Sequence, residues 1–213
     1  MPETLVSFIA TLGWNDGSEQ EIFTRHELIE KFSLDRVQKS GARFDDKRLL
    51  WMNGQFIRNL SLANLNQRIE EFWTTNAQSA DAKYRLEVLA LAQERLKTLQ
   101  DLSVLTSYFF EEPVADWSLI ASNKQLKKLS SDELNHLLDL VKTNLAQLDD
   151  WTAENIQLAL NELLVETDQK PGTLFSLVRI VTTWAPFSPQ LDETLALLGK
   201  EATLTRLGNA ITS

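Results

Sequence analysis

Helix-start signals recur along this chain, with almost nothing between them that could build a sheet. Thr24 is followed by Glu27, and Ser130 by Glu133. In each pair a hydroxyl and a carboxylate satisfy backbone N–H groups that a first helical turn leaves free. Ser33, Asp45, Ser61, Asp81 and Thr152 stand at similar places ahead of apolar residues at helical spacing. Pro2 opens the stretch Leu5, Phe8, Ile9, Leu12, which Gly13 ends. No alternating run is long enough to make a convincing strand. With only 7 Gly and 5 Pro in 213 residues, and much Leu, Ala and Glu, the chain reads as all-α.

The breaks between these segments suggest the organisation. The stretch WNDGSEQ is a turn. The helix opened by Asp81 is expected to run to about Leu99. Tyr108 to Pro113 interrupts the helical pattern, and the chain divides there into two helical bundles, 1–107 and 108–213. WAPFSPQ, from Trp184 to Gln190, carries two prolines and must be a loop. Gly199 suits the position just past a helix end.

The formal net charge is -9, which argues against indiscriminate nucleic-acid binding, because phosphate affinity is largely counterion release by Lys and Arg. The charge is uneven, however. Between Arg36 and Arg58 stand Arg36, Lys39, Arg43, Lys47, Arg48 and Arg58 against only Asp45 and Asp46. A polyanion would have to be held locally. There is no Cys, which excludes disulfides, thiolate metal sites and Cys nucleophiles. No apolar run approaches the ~20 residues of a membrane span. A cytoplasmic chain with no membrane partner is expected.

Residues for chemistry are sparse. His26 and His136 have no ligand partners at metal spacing, and adjacent carboxylates such as Glu70-Glu71 point apart on a helix. No glycine-rich phosphate loop or nucleophile elbow occurs. Binding features are clearer. Lys47, Trp51, Gln55 and Arg58 share one helical face. They form either a basic stripe around an aromatic platform, suited to phosphates and sugars, or a core Trp51 with solvated cations around it. Arg95 is either a solvated, acid-paired helix residue or a ligand contact. Arg179 stands beside the proline-broken loop, which either connects two helices or presents backbone groups and a ring to an unstacked base.

Four stretches, in order and covering nearly the whole chain, resemble the C-terminal part of bacterial-type glutamyl-tRNA synthetase. They are PETLVSFIATLGW; EIFTRHELIEKFSLDRVQKSGARFDDKRLLWMNGQFIR; DWTAENIQLAL with KPGTLFSLVRIVTT; and ETLALLGKEATLTRL. The second and fourth are the most specific. The resemblance implies two consecutive helical bundles of the anticodon-binding helical cage type. The first would lie along the anticodon arm of tRNA(Glu), with Arg36, Lys39, Arg43, Lys47, Trp51, Gln55 and Arg58 against the RNA backbone. It implies base contacts from Arg95, Arg179, Ser188, Pro189, Gln190 and Leu191. Arg95 would tell the third anticodon base, C in tRNA(Glu), from the G of tRNA(Gln). A cytosine accepts from an arginine fork, whereas a guanine edge offers donors whose burial unpaired costs ~1–3 kcal/mol.

Two departures are visible: Thr182-Thr183-Trp184 stands where the family carries a glycine after its arginine, and Gln190 replaces a small residue. The family's HIGH-like and KMSKS-like nucleotide motifs do not occur. The chain is therefore expected to be a fragment that follows the catalytic half, a monomer that aminoacylates nothing by itself. It needs no cofactor, because ATP and Mg belong to the parent's catalytic domain, and it has no DNA partner. The competing expectation is an all-helical protein–protein adapter.

Overall fold

The computed structural model describes residues 1–38, 41 and 43–211, and among these it is all-α, with no strand longer than the isolated bridge between Trp14 and Val37. Contacts divide the chain into two interleaved units: Met1–Phe72 with Gln93–Asp101, and Trp73–Ala92 with Leu102–Ser213. Ser107 and Tyr108, at the expected junction, both fall in the second unit.

The first unit holds α1 (Pro2–Thr11), α2 (Arg25–Lys31), α3 (Asp46–Arg58) and α4 (Leu62–Ile69). The start signals act as the sequence suggests. Thr24 and Glu27 form a reciprocal capping box, Asp45 accepts from Lys47 N–H and Arg48 N–H, and Ser61 accepts from Asn64 N–H. Hydrogen bonding from Thr24 N–H holds the Glu27 carboxyl below the usual carboxylate range. α1 packs on α3, and Phe8, Met52, Ile57, Leu65 and Ile69 are buried without residue.

The second unit follows with α5 (Thr75–Gln78), α6 (Ala82–Gln93), α7 (Asp101–Thr106), α8 (Ser118–Ser122), α9 (Ser131–Ala146), α10 (Ala153–Thr167), α11 (Pro171–Thr183), α12 (Leu191–Leu198) and α13 (Lys200–Ile211). Its core is one contiguous cluster that includes Leu138, Val141, Leu145, Ile156, Leu177, Val181, Leu195 and Leu207. Burying each such side chain is worth ~1.5–3 kcal/mol, so packing, more than helix propensity, fixes these helices. Ser130 and Glu133 form the second capping box.

Two expectations change. α6 stops at Gln93, not near Leu99. The Gln93 amide donates to the carbonyls of Ile57 and Leu60, and Asp101 takes the N–H groups of Lys97 and Thr98, so side chains replace the helical ladder. Gly199 does follow α12, but with φ 86 and ψ 159, an extended glycine-only geometry in place of a left-handed cap.

Candidate nucleic-acid interface

In α3, Met52, Asn53, Gly54 and Ile57 form the buried face, which puts Trp51 at the surface, 43% exposed. The core-tryptophan alternative is thereby removed. With its amide oxygen turned toward them, Gln55 accepts from Trp51 Nε1 at 3.3 Å and Arg58 Nη2 at 3.1 Å. Lys47, one turn before Trp51, is exposed, as is Arg43. Arg48 leaves this face: it donates to Thr11 Oγ1 at 3.2 Å and lies 3.6 Å from the Glu21 carboxylate. Arg36 donates to the carbonyl of Asp16. Lys39 lies outside the described residues.

Arg95 is exposed and sits in the turn after α6, not on a helix. That turn docks on α3. Arg58 Nη1 donates to the Glu94 carbonyl at 3.4 Å, and the Asn53 amide donates to the Lys97 carbonyl. Gly54 makes the approach possible, since a Cβ there would lie 3.3 Å from the Leu96 carbonyl oxygen. Within the first unit, then, the Trp51–Gln55–Arg58 stripe ends beside the segment that carries Arg95.

In the second unit, half-buried Arg179 on α11 donates from Nε to Ser188 Oγ at 2.9 Å. Helix α11 ends on Trp184, a non-glycine residue in left-handed geometry (φ 44, ψ 36). That geometry costs a bulky L-residue about 1–2 kcal/mol. It turns the chain into the loop 184–190 and sets Trp184 edge-on to Trp117, ring centroids 5.1 Å apart. Ser188, Pro189 and Leu191 are buried, so they anchor this loop. The Ser188 hydroxyl donates to the Pro189 carbonyl. The loop's outward side chains are Pro186, Phe187 and Gln190, with Phe187 51% exposed. Gln190 donates to Asp192 Oδ2 at 3.1 Å.

Sequence reasoning missed Phe187, Trp117 and Arg206. Arg206, only 6% exposed, donates to the Glu112 carboxylate at 3.0 Å, to the Thr182 carbonyl at 2.8 Å and to the Tyr108 carbonyl at 3.0 Å. Thr182 lies in the last turn of α11, so Arg206 fixes the helix end that carries Arg179. Burial pushes the Tyr108 hydroxyl far above the usual phenol range, with Arg179 and Arg206 opposing it. Arg206 was the arginine of the fourth family-like stretch, but a lone helical arginine gives no sign of burial.

Among the described residues no group of three or more acidic or histidine side chains could hold a metal, and no helix is long and apolar enough to cross a membrane.

Residues 64–211 match the family model described as anticodon binding domain. Residues 1–51, expected to follow the catalytic half, instead match the model for the catalytic domain of class I tRNA synthetases (E and Q). The chain is 33% identical over 217 residues to the glutamate–tRNA ligase of Chloroflexus aurantiacus, covering 99% of this chain and 43% of that protein. It is 36% identical to that of Roseiflexus castenholzii, covering 99% of this chain and 42% of the relative. A crystal structure of a glutamate tRNA ligase from Elizabethkingia meningosepticum in complex with its amino acid superposes with TM-score 0.77 at 25% identity, covering 100% of this chain and 41% of that one. The chain thus spans well under half the length of these relatives, and by the match across 64–211 it belongs to the anticodon binding domain family.

Proposed function

We propose that this chain recognises the anticodon arm of tRNA(Glu) on behalf of a nucleotide-binding half that attaches glutamate with ATP and Mg. The observation that carries the reading is the Arg179–Ser188 contact, which holds an arginine against a loop with an outward aromatic ring. Such a combination suits an unstacked RNA base. The α3 stripe would meet phosphates and sugars and fix register without reading sequence. The stretch 1–107 would contact the stem and, through Arg95, the third anticodon base, and 108–213 the other anticodon bases. By itself the chain would be a cytoplasmic monomer without ligase activity or cofactor. A helical adapter would explain the acidity but gives the α3 stripe and the Arg179 loop no task.

The test is fluorescence anisotropy with stem-loops carrying the anticodons of tRNA(Glu) and tRNA(Gln). The tRNA(Glu) stem-loop should bind more tightly, with strong salt dependence; binding of neither at low salt overturns the proposal. Arg95→Gln should narrow the ratio of the two affinities, by about tenfold or more if one charged hydrogen bond carries the discrimination. An unchanged ratio removes Arg95 from that role.

A further inference from the structure

Residues 117–131 contain Lys124, Lys127 and Lys128 and no acid, in a chain of net charge -9. All three lysines are exposed, and exposed Lys170 joins them, because Gly172 at the start of α11 lies against Gln125. Beside them, between α8, α9 and α11, opens a cavity of about 550 Å³. That is within the ~300–1,000 Å³ of small-ligand sites.

Its floor is apolar: Leu126, Leu138 and Leu177 are buried. Its rim carries Trp117, Lys127 and Asn135. Trp117 is 41% exposed and held edge-on by Trp184. Asn135 is half-buried. Leu177 stands two positions before Arg179 on α11, and Trp184 opens the loop that Arg179 grips. The cavity and the Arg179 loop are thus linked through the Trp117–Trp184 contact, not through one shared face of α11.

We infer that this cavity is a nucleotide subsite, which takes an unstacked RNA base beside Trp117, hydrogen-bonds its edge through Asn135, and holds its phosphate at Lys127 and Lys128. This rests on the reading of the chain as an RNA-binding module. An aromatic face accepts any base, an amide can both donate to and accept from a base edge, and lysines beside an acid-free stretch attract phosphate. The left-handed Trp184 gains a reason here: its strained backbone braces Trp117 at the mouth.

The experiment measures binding of the tRNA(Glu) anticodon stem-loop and of hexauridylate to the full chain. The variants are Asn135→Leu, which removes the amide from the rim, Lys127→Gln with Lys128→Gln, which changes exposed side chains only, and Arg179→Gln. Thermal midpoints check folding. Asn135→Leu should weaken stem-loop binding about tenfold. The double lysine variant should lower the salt slope by about 1.4. If Arg179→Gln weakens binding while the other two variants stay within twofold of the parent, the subsite is overturned, the cavity is a protein-docking or unfilled space, and the RNA function stands. If no stem-loop binds, the functional reading falls and hexauridylate decides the subsite. Binding that Asn135→Leu abolishes supports it; no binding overturns it.

Discussion

Arg206 shows how much one buried cation can organise. Its guanidinium serves the carbonyls of Thr182 and Tyr108 and the Glu112 carboxylate at once. Arg206→Ala would leave two interior carbonyls without donors and a void behind them. We predict a loss of about 3 kcal/mol in urea unfolding, since each unpaired buried group costs ~1–3 kcal/mol. A loss below 1 kcal/mol would mean that water replaces the guanidinium freely. At this scale the sequence was only partly legible. Periodicity placed Trp51, Gln55 and Arg58 on one face, because a helix fixes direction by spacing alone. It could not sort the 184–190 loop, where no period applies. There Ser188 and Pro189 turned inward and Phe187 outward.

Among the elements, the capped helices were the most legible, since a cap is a local interaction between near neighbours. Ser130→Ala should cost about 1 kcal/mol, read as a lower urea midpoint; an unchanged midpoint would show that packing of α9 alone holds its start. The turn before α2 makes a pH prediction. The Ser18 hydroxyl and N–H, and then Lys31, hold the Asp16 carboxyl down at about 2, against an ordinary 3.8. A depressed folded-state value contributes stability that is complete above about pH 4 and disappears as pH falls through 2. The urea midpoints of the parent and Asp16→Asn should therefore differ at pH 5 and draw together as pH falls through 2; a difference at pH 2 as large as that at pH 5 contradicts the assignment. The end of α6 was not legible, because Gln93 closes it through partners that stand apart in sequence, the carbonyls of Ile57 and Leu60.

For the molecule as a whole, the all-α class followed from the absence of strand periodicity, and the family followed from four ordered stretches. The interleaving of the two units was invisible: a segment such as 93–101 joins the first unit through contacts with α3 that no local pattern announces. In the second unit α13 packs on α9 and α11 and completes the core. A chain lacking residues 200–211 should keep most of its far-UV helical signal but lose the near-UV signal of Trp151 and Trp184, which pack against the second unit's core, the mark of helices without fixed packing; retention of both signals would show that α13 is dispensable. Arg206 meets Tyr108 across 98 positions of chain. A nascent polypeptide must therefore carry the Tyr108 turn and the end of α11 unfastened until α13 has been made. The unit that carries the Arg179 loop locks late and all at once, and while it waits, chaperones and proteases see its interior.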